Sequence, residues 1–123
     1  MDLQTERRLE QFFRVLDLPV MRIEPRMEVV DPPFRLYVED VSERLLISVT
    51  LPIPGLWSEN VLQRLLELCQ PERTQGIPLR GFIVSNQLVL SCSPAPEDSV
   101  EQWIKLYHMQ RRLLQISMGG EGR

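Results

Sequence analysis

The chain has 123 residues, 43% of them apolar and 25% charged, with a net charge of −3. That is the length of one domain, with apolar mass enough for a core that needs no disulfide or metal. The acidic balance argues against a nucleic-acid surface, which needs a basic face, and against attraction to an anionic membrane.

The N-terminus, Met1-Asp2-Leu3-Gln4-Thr5-Glu6-Arg7-Arg8, has no apolar core of the kind a signal peptide carries. The uncharged stretch Leu45–Trp57 is broken by Ser, Thr and Pro. It falls short of the ~20 apolar residues of a membrane span. A cytoplasmic protein is expected. Cys69 and Cys92 sit among apolar neighbours and read as reduced, buried small hydrophobes.

Leu9, Phe12, Phe13 and Leu16 recur at i, i+3, i+4 and i+7, which predicts a first helix ended by Pro19. A proline-flanked extended region follows, with a short strand around Met27–Val30 and a break at Asp31-Pro32-Pro33. Phe34, Leu36 and Val38 alternate with Arg35, Tyr37 and Glu39, as in a strand with one dry face. Asp40–Glu43 is a hairpin loop, and the next strand alternates Leu45, Ile47, Val49 and Leu51 against Leu46, Ser48 and Thr50. Its second face is only weakly polar and could meet a partner.

Pro52–Gly55 breaks the sheet, and Ser58 reads as the N-cap of a helix over Glu59–Gln70. Val61, Leu65 and Leu68 make one apolar stripe on it; Leu62, Leu66 and Cys69 make an adjacent one. A helix apolar over so wide an arc must bury two surfaces. The second is expected to belong to another subunit, so Val61, Leu62, Leu65, Leu66 and Cys69 are the candidate dimer interface. A polar loop over 71–78 leads to two strands, Leu79–Val84 and Gln87–Cys92, joined at Ser85-Asn86. Asp98 or Ser99 caps the last helix, with Ser99 and Gln102 spaced as a capping box. Gly119–Arg123 reads as a frayed tail beyond a single domain over 1–118. The order α-β-β-β-α-β-β-α predicts an α+β fold, a twisted antiparallel sheet packed by helices.

No candidate chemistry emerges. His108 is the sole histidine and reads as an ordinary surface residue. It has no motif-linked nucleophile or orienting carboxylate. Two scattered cysteines and one histidine give no zinc spacing, and Gly55, Gly76 and Gly81 are isolated rather than a phosphate loop. No catalytic residue, cofactor or metal is expected. What remains is apolar surface. Phe12 and Phe13 are adjacent, so they cannot point the same way on a helix. One could face the core and the other a groove, or both could be core at the helix edge.

Several patterns together resemble the class I chaperones of type III secretion (the Tir chaperone-like family). They are Leu9-x-x-Phe12-Phe13-x-x-Leu16-Asp17-Leu18-Pro19, the meander ending in Leu45–Leu51, the leucine-rich helix Val61–Cys69, the strands entered through Gly76-Ile77-Pro78-Leu79, and the C-terminal amphipathic helix. Asp17 stands where that family usually has glycine, so the turn there needs Asp in an uncommon conformation. The resemblance implies a bacterial cytoplasmic homodimer around which the extended N-terminal segment of an effector wraps and stays secretion-competent. Sheet-edge pairing and apolar grooves would supply the affinity. Phe12, Phe13, Leu16, Phe34, Leu36 and Val38 are the candidate partner-binding residues. Two other readings stand beside this one: a regulatory or heterodimeric chaperone-like subunit of the secretion system, and a small ligand-binding or enzymatic α+β domain.

Overall fold

The first helix, α1 (Leu3–Val15), starts where Asp2 accepts a hydrogen bond from the Thr5 N–H at 2.7 Å. It ends in a Schellman motif: Leu18 N–H bonds Phe13 O at 2.9 Å and Asp17 N–H bonds Arg14 O at 3.1 Å. Asp17 sits in the left-handed region at φ 57°, the uncommon conformation its place in the sequence requires. The computed structural model describes residues 1–72, 74–95 and 97–119, with Trp57 described by its backbone alone.

The strands are β1 (Arg26–Asp31), β2 (Phe34–Val41), β3 (Arg44–Pro52), β4 (Arg80–Val84) and β5 (Gln87–Cys92). A 3-10 turn, Gly55–Trp57, precedes α2 (Ser58–Leu68), and α3 (Val100–Ser117) closes the order. The expected α-β-β-β-α-β-β-α order is therefore present. The five strands form one antiparallel sheet in the order β1-β2-β3-β5-β4.

Local chemistry explains the turns. Ser42 and Glu43 (φ 52° and 67°) join β2 to β3, and Ser85 and Asn86 (φ 50° and 61°) join β4 to β5. Positive φ at both central residues is the signature of the type I′ turn, whose twist suits a two-residue hairpin. Asp40 and Val41, anticipated as loop, extend β2 instead. Between β1 and β2 the connection is Pro32-Pro33, joined by a cis peptide bond.

The helix starts divide. Ser99 and Gln102 form the expected capping box on α3, with Ser99 N–H to Gln102 Oε1 at 2.7 Å and Gln102 N–H to Ser99 Oγ at 3.2 Å. Ser58 is not an N-cap. Its backbone is already helical, and its hydroxyl donates to Gly55 O at 3.1 Å, because the 3-10 turn runs straight into α2. The loop after α2 is knit by Thr74, fully buried, whose hydroxyl donates to Ile77 O at 3.0 Å. Residues 120–123 of the anticipated tail lie outside the described residues.

The helices pack on one face of the sheet. There Ile47, Val49, Leu88 and Leu90 meet α3, and an aromatic cluster of Phe12, Phe13, Trp103 and Tyr107 joins α1 to α3. The buried Gln110 of α3 donates Nε2 to Ile47 O at 3.1 Å and to Leu90 O at 2.9 Å, fixing the helix over the β3–β5 seam. Gly81 lets α2 come down on β4: a Cβ there would lie 2.8 Å from Leu65 Cδ2.

Candidate partner-binding surfaces

Five of the six residues expected to bind a partner are core. Phe12, Phe13, Phe34, Leu36 and Val38 are each 2% exposed or less. Leu16 is half-buried against the same cluster. The reason is geometric. Phe34, Leu36 and Val38 have the strand parity that faces the helices, so the outward residues of β2 are Arg35, Tyr37 and Glu39. Phe12 and Phe13, about 100° apart on α1, both fall within its buried arc because α3 lies on one side and the chain after α1 on the other.

That second side holds a groove of about 560 Å³. One wall is an α1 stripe, Glu6, Glu10, Phe13 and Arg14. The other is the extended segment after α1, which contributes Leu18, Pro19, Val20, Met21, Arg22 and Ile23. Of the expected binding residues, Phe13 alone reaches this groove, as part of its wall. Met21 is fully exposed at its mouth. The sequence signal for it was present in Leu18–Ile23, a mostly apolar run holding Pro19 and Arg22 that matches neither helical nor strand period. The same segment continues past Pro25, whose carbonyl accepts from Asp40 N–H at 2.7 Å, into β1. Among the described residues β1 pairs only with β2, so its outer backbone edge carries no described strand. A groove with a largely apolar wall facing a largely charged one thus lies beside the chain leading to a free sheet edge, and grooves and free edges are the features that extended peptides use for binding.

The doubled stripe of α2 also separates. Val61 and Leu65 are buried in this chain's own core, so they cannot form a contact surface for another subunit. Leu66 is 48% exposed, with Leu62 and Cys69 half-buried beside it. At the same end of the sheet β4 is the other edge strand, with Phe82 and Val84 exposed.

Neither thiol is engaged. Cys69 and Cys92 are both free, and burial pushes the Cys92 thiol up to about 12. His108 is exposed on α3. Among the described residues no group of three or more His, Cys, Asp or Glu could hold a metal ion. No described helix is long and apolar enough to cross a membrane. A smaller cavity of about 320 Å³ lies between the start of α1 and the β2–β3 turn, where Arg8 stacks over Trp103 at 4.4 Å. Its rim mixes acids and bases, Asp40 and Glu43 with Arg8 and Arg44, and selects no one ligand chemistry.

Fold and surfaces together define an α+β protein whose distinctive features are a groove beside α1 and free sheet edges. Residues 2–117 match the family model SsaM, and the chain belongs to the SsaM family. It is 30% identical over 114 residues to the secretion system apparatus protein SsaM of Salmonella typhimurium, covering 93% of each chain. Its fold is similar to that of YbjN from E. coli, with a TM-score of 0.58 over 96% of this chain and 87% of the other at 13% identity.

Proposed function

We propose that this protein is a non-enzymatic, chaperone-like component of a bacterial type III secretion system that works in the cytoplasm by binding another protein. Its site is the groove between α1 and residues 18–23, continued along the open edge of β1. The bound partner is an extended segment of a secreted protein. Backbone pairing along β1 supplies affinity, and the groove takes apolar side chains, so that the segment stays unfolded until it is handed on. No bond is made or broken. The observation that carries this reading is the groove, walled on one side by Leu18, Val20, Met21 and Ile23, beside the chain that leads into an unpaired edge strand, in a member of the SsaM family.

The protein acts as a dimer, assembled through the outer flank of α2 (Leu62, Leu66, Cys69) and the neighbouring edge of β4. A second reading has that flank receive a non-identical, chaperone-like subunit. The relative's description as an apparatus protein rather than a chaperone favours it. Light scattering on the protein alone separates the two, since a heterodimeric subunit is monomeric by itself.

The test of the site is co-purification from the native host of the wild-type chain and of Met21→Glu. Met21 is exposed, so the substitution leaves the fold intact. Loss of a secretion-system partner from the Met21→Glu preparation supports the groove. Full retention of that partner contradicts it.

A further inference from the structure

The helices cover one face of the sheet, and no described helix packs on the other. Strand register fixes what it presents. Thr50 lies between Arg35 and Val89, with Phe82 beyond; Ser48 lies between Tyr37 and Ser91, with Arg80 beyond. The middle strands β3 and β5 thus contribute a floor of small side chains, and β2 and β4 contribute larger walls. Walls three strand spacings apart are about 14 Å from each other. An α-helix with its side chains is about 10–12 Å across.

The floor is finished as an interior would be. Ser48, Thr50, Val89 and Ser91 are all buried although no described helix lies above them, and the Ser48 and Ser91 hydroxyls bond each other at 2.6 Å. Thr50 Oγ1 and Gln87 Oε1, on this same face, have no partner among the described residues. Phe82 and Val84 are 40% and 53% exposed along the β4 wall.

Charge is distributed unevenly. In a chain of net charge −3, this face carries four arginines (Arg26, Arg35, Arg44, Arg80) against two glutamates (Glu28, Glu39). Arg35 pairs with Glu28 and Arg26 with Glu39, which leaves Arg44 and Arg80 without an ion pair among the described residues. Arg44 lies at the end of the trough where β3 begins, beside the exposed Val41, and Arg80 lies midway, in the row of Ser48; Phe82, Val84 and Val89 lie toward the other end.

We propose that this open face is a second protein-binding site, which takes an amphipathic helix of a partner protein that has an apolar stripe and carboxylates toward one end. The stripe packs on Phe82, Val84 and Val89, and the carboxylates meet Arg80 and Arg44. The site is separate from the α1 groove and needs no occupancy there.

Two synthetic peptides test it. Each has about 18 residues, a length of roughly 27 Å as a helix, and an identical leucine stripe. One carries glutamates at one end and the other carries lysines at the same positions. Titration into the isotope-labelled full chain, followed by amide chemical shifts, is expected to give binding of the glutamate peptide at least about tenfold tighter than the lysine peptide. The largest shifts fall at Ser48, Phe82, Val89 and Ser91. Arg44→Glu with Arg80→Glu reverses the preference without changing the melting temperature, since both arginines are exposed. Phe82→Ala weakens both peptides, because the leucine stripe is common to them, and leaves the preference for glutamate in place. Equal affinity for the two peptides, or no binding of either, overturns the proposal. So do shifts confined to the α1 groove, and so does a wild-type dimer that Tyr37→Glu, on the β2 wall away from the β4 edge, converts to folded monomer, which would make a second copy the occupant.

Discussion

Tyr107 donates its hydroxyl to Asp31 Oδ2 at 2.7 Å, joining α3 to the last residue of β1 across 76 positions of sequence. Arg111, one helical turn on, lies 3.9 Å from the same carboxylate and stacks near the rings of Phe34 and Tyr107. This cluster holds the edge strand β1 against the helical layer, so it governs how firmly the proposed binding edge is presented. Tyr107→Phe removes the hydrogen bond and leaves the ring in place. It is expected to cost about 1.5 kcal/mol of stability, the worth of a hydrogen bond to a charged acceptor. Urea unfolding measures it, and an unchanged midpoint would deny the cluster this role.

The same residue predicts a pH dependence. Burial, with the Asp31 bond second, raises the Tyr107 phenol well above its ordinary value of 10.0, and burial raises the Cys92 thiol from 9.0 to about 12. Each folded-state value lies above the unfolded one. The associated stability is therefore complete below pH 9 and declines as pH rises beyond the unfolded values. Urea midpoints should hold between pH 7 and about 8.5 and fall from about pH 9 upward, less steeply in Tyr107→Phe. A flat profile to pH 11 would refute this.

Gly81→Ala places a Cβ 2.8 Å from Leu65 Cδ2 and 3.3 Å from its Cγ. Leu65 is fully buried and cannot swing away. Overpacking of this kind costs about 1–3 kcal/mol, visible as a lowered thermal midpoint. The paired substitution Gly81→Ala with Leu65→Val should recover part of the loss.

Phe12→Ala and Phe13→Ala separate core from groove. Both should lose about 3–5 kcal/mol, as buried aromatics do. At protein concentrations where the variants stay folded, only Phe13→Ala should also weaken a co-purified partner, because Phe13 alone of the two lines the groove.

Much of this fold is legible in the sequence because the signals are local. The alternation in Phe34–Val38 and Leu45–Leu51, the Ser99–Gln102 spacing and the Ser85-Asn86 turn each act within a few residues, and each appears in place. Asp17 is the instructive case: a helix stop with a non-glycine residue requires the left-handed conformation, and φ 57° is what it adopts. The candidate site is less legible because it depends on which side of an element meets which neighbour. Period two separates Phe34 from Arg35, but it does not say that the helices take the Phe34 side. The two stripes of α2 are visible in the sequence. That Val61 and Leu65 are spent on the chain's own core follows only from the approach of α2 to Gly81. Gln110 had no local signal, since its partners Ile47 O and Leu90 O are backbone atoms brought together by the sheet.

The most direct test of the account is amide hydrogen exchange on the chain alone and in complex with the partner it carries from its native host. New protection is expected over residues 18–31, covering the groove segment and the edge strand β1. Protection that leaves 18–31 unchanged, whether confined to α2 and β4 or to the open sheet face, would contradict it.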